Sequence, residues 1–218
     1  MGQYYKCMVM GTDGKAAGID SWSYNNGAKL MEHSYCGNGY VDAAIRMIGI
    51  SEFLNSGPVR VGWIGDYTDG VLDEIEDPGR RKVIETMYEA AWKYPEKEFV
   101  PAFDMTALPH HEVPQDVDLK ELPKYNRFSS VAGILVNCEK GLFVRCPEWD
   151  GETWFIHPLP LLTAVGNGQG GGDYSGTDMA LVGSWAGDHV SWVSPAEAER
   201  TISGLNLEEI KVHFKEER

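Results

Sequence analysis

The spacing of apolar and polar positions predicts helices and strands in an order that does not repeat as βαβ units. Residues 4–10 and 16–22 read as paired strands around Asp13-Gly14, a favoured hairpin turn. Val41, Ala44, Ile45 and Ile48 fall at helical spacing, so 39–49 is expected to be a helix with Asn38 near its start. Residues 59–64 alternate around Arg60 and Gly62 and read as a strand ending at Gly65-Asp66-Tyr67. Asp77-Pro78 then opens a helix to about Lys93, with Asp77 as the cap and Pro78 in the first turn.

Residues 95–127 change character, with prolines at 95, 101, 109, 114 and 123 among acidic residues. A connection this long and irregular is expected to be a lid or insertion within one domain spanning 1–218. Strands are expected near 131–137, 141–146, 152–157, 180–185 and 189–193, the first two forming a hairpin that turns at 139–141. Ser194-Pro195-Ala196-Glu197 has the form of a capping box before a short helix stopped by Gly204. Ile210, Val212 and Phe214 alternate as a last strand. The expected class is α+β, a mainly antiparallel sheet with two or three helices and a long irregular insertion.

Composition narrows the function classes. An apolar fraction of 43% and an aromatic fraction of 11% are those of a globular chain. A net charge of −14 disfavours duplex nucleic acid and anionic membrane surfaces as partners. The basic run Arg80, Arg81, Lys82 still allows one local phosphate contact. The first residues lack the basic region and long apolar core of a signal peptide, so a cytoplasmic protein is expected. Lys6 stands where myristoylation wants Ser or Thr. Cys7, Cys36, Cys138 and Cys146 lack the CxxC spacing of a zinc site, and Cys138 and Cys146 sit too far apart along the hairpin to pair. Free thiols are expected, with no metal and no cofactor.

Three polar constellations can carry chemistry. The most informative is the loop Gly166-Asn167-Gly168-Gln169-Gly170-Gly171-Gly172-Asp173-Tyr174, preceded by His157 and a proline-stiffened apolar stretch. Five glycines within seven residues are entropically costly to order. They imply positive φ or close approach to something, either a ligand or another strand. The loop formally contains GxGxxG, but no helical period follows, so a dinucleotide-binding reading fails on context. The P-loop reading fails too, for want of a Gly-Lys-Ser/Thr. The second constellation is Glu32-His33-Ser34-Tyr35-Cys36-Gly37-Asn38, ahead of a helix whose N-terminus attracts anions. Its alternative is a cap and a buried histidine satisfied by backbone. The third is Asp66-Tyr67 at a strand end, where a carboxylate serves as base, ligand to a ribose hydroxyl, or simple Asx turn. His110-His111-Glu112 is a weaker metal candidate, since adjacent histidines in extended chain face opposite ways.

MGQYYK at the start, NGAKLMEHSYCGN at 26–38, WIGDY at 63–67, LVN at 135–137 and IHPLPLLTAVGNGQGGGDY at 156–174 together resemble a family of uncharacterised bacteriophage and bacterial proteins. The turn Cys138-Glu139-Lys140-Gly141 departs from that family's His-Thr-Lys-Lys-type pattern. The resemblance implies a phage or prophage setting, hence a host cytoplasm, and supplies no activity.

Three functions stay open. The first is a binder of a small polar or nucleotide-type ligand, such as a phage protein that sequesters a host nucleotide signal. Its contacts would be His33, Tyr35, Asn38, Asp66, Tyr67, His157, Asn167, Gly168, Gly170, Gly171, Asp173 and Tyr174. The second is a hydrolase or transferase in which His33 or His157 pairs with Asp66 or Asp173. The third is a virion or host-takeover interaction module. Homo-oligomer formation is left open.

Overall fold

A computed structural model describes residues 1–24, 26–93, 132–147 and 155–216. The 95–127 insertion and His110-His111-Glu112 lie outside the described residues.

One eight-stranded sheet organises the chain. Its strands are β1 (Tyr5–Met10), β2 (Ala16–Ile19), β3 (Val59–Gly65), β4 (Gly133–Asn137), β5 (Leu142–Cys146), β6 (Ala164–Val165), β7 (His189–Val193) and β8 (Glu208–Glu209). The order is β2-β1-β3-β7-β4-β5-β8. Pairings are antiparallel except β3 with β6 and β5 with β8. Strand β3 is shared along one edge. β7 meets its first residues and β6 its last, and Asp188 O, Gly187 N and Thr163 O fill the ladder between and around them.

The period of two divides the sheet into faces. Tyr5, Cys7, Val9, Val59, Val61, Trp63, Leu135, Val144 and Val190 share one core with Ile45 and Ile48 of the helix α2 (Gly39–Asn55). On the opposite face Met8, Met10 and Ile64 pack with Ile84 and Met87 of α3 (Pro78–Tyr88), which continues as a π turn through Lys93. Ile134, Val136 and Phe143 on that same side meet Ala198. Two short helices, α1 (Leu30–His33) and α4 (Pro158–Leu162), and the C-terminal α5 (Pro195–Leu205) complete the set. Each large apolar side chain buried this way contributes about 1.5–3 kcal/mol, which is why a two-sided sheet dominates the architecture.

The expected α+β class and antiparallel sheet hold, while several boundaries move for physical reasons. α2 does not stop at Gly49 but runs to Asn55, since a mid-helix glycine costs only about 1 kcal/mol and further packing, including Ile50, outweighs it. It ends where Ser56 turns to positive φ. Residues 180–185 form no strand. Ala180 and Leu181 belong to a 3₁₀ turn at Met179–Leu181, and after it Gly183 N and Trp185 N donate to Leu161 O and Leu162 O, capping carbonyls at the end of α4. Of the expected 152–157 strand, 152–154 lie outside the described residues; Ile156 bridges Tyr35, and Pro158 and Pro160 cannot continue a ladder. Gly204 lies inside α5, whose stop is Asn206 in the left-handed region, with its N–H on Ile202 O. Ser194 makes no side-chain cap; its hydroxyl donates to the Glu197 carboxylate at 3.2 Å. The tail after β8 forms no long ladder, yet Ile210, Val212 and Phe214 do pack against the core.

All four cysteines are free, Cys138 alone among them being exposed. Among the described residues no helix is long and apolar enough to cross a membrane.

Candidate functional site

The glycine loop is pinned from inside. Asp173 Oδ2 accepts from the backbone N–H groups of Gly168 (2.7 Å) and Gly170 (3.0 Å), and Tyr5 donates its hydroxyl to Asp173 Oδ1 at 3.0 Å. The N–H groups that would cradle an outside anion are therefore turned onto the loop's own carboxylate. Asn167 brackets the far end, its amide donating to Tyr174 O (3.1 Å) and accepting from Tyr174 N (2.8 Å). Tyr174 is buried; its hydroxyl donates to Thr177 O at 2.7 Å and accepts from Lys215 N at 2.9 Å.

The loop also lies against the start of the chain. Gly171 N donates to Met1 O (3.0 Å) and Gln3 N to Gly171 O (3.2 Å). The buried Gln3 amide, oriented to satisfy its neighbours, has its nitrogen within reach of Gly166 O (2.8 Å) and Asp173 Oδ2 (3.0 Å). A Cβ on Gly170 would sit 2.6 Å from Gln3 Cβ and 2.8 Å from Gln3 N. The close approach that the glycines permit is thus to the N-terminal segment. Gly170→Ala is expected to cost about 2 kcal/mol through that clash. Gly204→Ala, inside α5 with open space around it, is expected to raise stability by about 0.5–1 kcal/mol. Urea unfolding of the two variants checks the contrast.

Of the other expected site residues, the His33–Tyr35 and His157 segments are brought together, Tyr35 bridging Ile156 and His157 N donating to Ser34 O at 2.9 Å. His33 is buried, its Nδ1 on Gly27 O (2.9 Å) and its Nε2 accepting from Trp63 Nε1 (2.8 Å). Those partners assign a neutral ring protonated on Nδ1, and burial lowers its pKa to about 4. Asn38 caps α2, accepting from Tyr40 N at 2.9 Å and donating to Asn26 Oδ1 at 2.7 Å. Asp66 Oδ1 accepts from Tyr4 N (3.0 Å), and Asp66 N donates to Tyr4 O (2.9 Å), closing the β1–β3 ladder. Tyr67 follows and opens the 3₁₀ turn Thr68–Glu74. His157 is buried as the cap of α4, Nδ1 accepting from Leu159 N at 3.2 Å, and burial lowers its pKa to about 3. Tyr35 lines a different groove, of about 1150 Å³, whose rim includes Pro147 and Phe155 on either side of 148–154, outside the described residues.

What the glycine loop does wall is a cleft of about 610 Å³. Gly166, Asn167 and Gln169 form one side. The segment from Val71 to Ile84 forms the other, with Val165, Val182 and Met179 adding apolar surface. Glu74, Glu76 and Asp77 bring carboxylates to it. The basic run is not a phosphate cradle. Arg80 Nε and a terminal nitrogen donate to Ala186 O and Gly183 O, both at 2.7 Å. Arg81 donates to Ile75 O and pairs with Asp73, and Lys82 pairs with Glu85. Lined this way, the cleft suits apolar faces edged by hydrogen-bond donors better than it suits phosphate. Sequence reasoning passed over Glu74, Glu76 and Met179, since nothing local ties the 71–84 segment to a loop some 90 positions onward.

Among the described residues no group of three His, Cys, Asp or Glu side chains is placed to hold a metal ion. No family model, curated protein or solved structure matches this chain.

Proposed function

We propose that the protein binds a small polar ligand of nucleoside type in the cleft between the glycine loop and the start of α3. The observation that carries the proposal is the preformed wall: Gly166 and Asn167 are fixed by Gln3 and Tyr174, and Asp173 fixes the backbone on either side of Gln169. A wall already ordered spares the entropy that binding would otherwise cost. Apolar residues such as Val165 and Val182 suit the faces of a base, and Glu74 and Glu76 suit ribose hydroxyls or exocyclic amines. The phosphates of a nucleotide would be left toward solvent, away from those carboxylates. In the phage setting that the sequence resemblance implies, the job would be sequestration of a host nucleotide signal.

A thermal-shift titration with adenosine, guanosine and AMP tests this. A nucleoside at 100 times its Kd should add about 2.7 kcal/mol. For a chain this size that raises the unfolding midpoint by roughly 5–10 °C. Glu76→Gln and Gln169→Ala should each reduce the rise. No rise with any nucleoside at millimolar concentration, or an equal rise in both variants, would overturn the proposal.

A further inference from the structure

On the sheet face that carries α3 and α5, a row of reactive side chains outside the cleft lining crosses three strands. His189 stands directly opposite Arg60 of β3. On its other side Cys138 N donates to His189 O at 2.9 Å, making Cys138 the cross-strand neighbour. Directly opposite residues of antiparallel strands point the same way, with Cβ atoms about 4.5–5.5 Å apart. Ser191, two residues along β7, shares that face, and its hydroxyl oxygen lies 3.7 Å from Cys138 Sγ.

Glu139 locks the row from above. Its Oε1 accepts from His189 Nδ1 at 2.7 Å and forms an ion pair with Arg60 at 2.9 Å, while Arg60 donates to Gly187 O. With Nδ1–H committed to a carboxylate, a neutral His189 keeps its acceptor lone pair on Nε2. The turn that presents Cys138 and Glu139 is itself rigid. Buried Asn137 accepts from Glu139 N (3.1 Å) and Lys140 N (3.0 Å), and donates to buried Asp188, which Lys140 also pairs. At rest Cys138 Sγ is turned to Ser191 Oγ and to Val136 O (4.0 Å), one strand across from an imidazole that a carboxylate orients; bringing thiol and imidazole together is how a weak nucleophile is activated.

We propose that Cys138 and His189 form a nucleophile–base pair, positioned by Glu139, that takes an acyl group from an activated ester or thioester and passes it to water. Cys138 Sγ attacks the carbonyl carbon and forms the S–C bond, while the thiol proton passes to His189 Nε2. The bond to the leaving group then breaks, and that group departs with the proton from His189. Water next adds to the acyl-thiol with His189 taking its proton, the S–C bond breaks, and the thiol is restored. Burial, with Glu52 and Glu139 nearby, pushes the Cys138 thiol above its ordinary range. The resting residue is accordingly a thiol, and its proton has to leave during the attack.

p-Nitrophenyl acetate is the probe. The intact protein should release p-nitrophenolate in a burst, and peptide mapping should find the acetyl group on Cys138. His189→Gln should slow acetylation about 100-fold. Glu139→Gln should slow it less and move its pH midpoint. In the unaltered protein the acetylation should run more slowly in D2O than in H2O, because the thiol proton passes to His189 during the attack. That comparison is informative whether or not either variant folds. Acetyl found on other residues, a rate unchanged in D2O, or a folded His189→Gln protein that reacts as fast as the parent would overturn the proposal.

Discussion

Replacing Asp173 with alanine is expected to lower the free energy of unfolding by about 3 kcal/mol, a large share of what a domain possesses. The side chain accepts from Gly168 N, Gly170 N and Tyr5 Oη, all at 3.0 Å or less. Its loss strands two backbone donors in a loop whose glycines gain freedom once released. Hydrogen bonds to a charged acceptor are worth about 1.5–3 kcal/mol each, and water entering the half-exposed loop repays part of that. Asp173→Asn should fall between the two proteins, since an amide has one acceptor oxygen in place of two. Urea unfolding at neutral pH measures this. A loss under about 1 kcal/mol for Asp173→Ala would mean the loop is held by its other contacts, chiefly Asn167 with Tyr174.

The second large effect is hidden in the parent protein. Burial lowers His33 to about 4 and His157 to about 3, against about 6.5 when unfolded. The stability these neutral rings contribute is complete above pH 6.5 and is lost as pH falls toward their folded values. Asp42 and Glu52 go the other way, burial raising each to about 7. Their contribution is complete below the unfolded carboxylate range near 4 and is lost as pH rises through 7. Between pH 6.5 and 4.5 the unfolded chain thus gains two histidine protons while the folded chain holds two carboxyl protons. The terms oppose, and these four groups together should leave stability nearly flat across the window. Asp42→Asn combined with Glu52→Gln removes one side of the balance. The double variant should then lose up to about 2.7 kcal/mol per pH unit on acidification, the slope of two protons. Denaturant unfolding at pH 6.5, 5.5 and 4.5 reads it directly. Equal slopes in parent and variant would show that the histidines and carboxyls do not oppose in this way.

What the sequence made legible was local. Asp13-Gly14 set the β1–β2 hairpin, the 138–141 turn set β4–β5, and Asp77 capped α3 through Arg80 N, because turns and caps are decided by residues within a few positions. The glycine loop posed its own question, ligand or strand. The contact it makes with Met1–Gln3 joins residues about 170 positions apart, which no periodicity encodes. His33 likewise finds Trp63 only because α1 is laid on β3. The 180–185 stretch misled because an apolar run that caps a helix C-terminus looks, in sequence, like a strand. The cleft was out of reach for the same reason as the His33 contact. Its two walls come from segments that only the sheet brings together, through β6 on the edge of β3.

The most direct test of the ligand-binding account is a two-dimensional amide spectrum of the ¹⁵N-labelled protein titrated with adenosine. The account predicts saturable shifts concentrated at Gly166, Asn167, Gln169, Ile75, Arg80 and Gly183, which surround the cleft. An unchanged spectrum at millimolar adenosine, or shifts gathered elsewhere on the molecule, would contradict it.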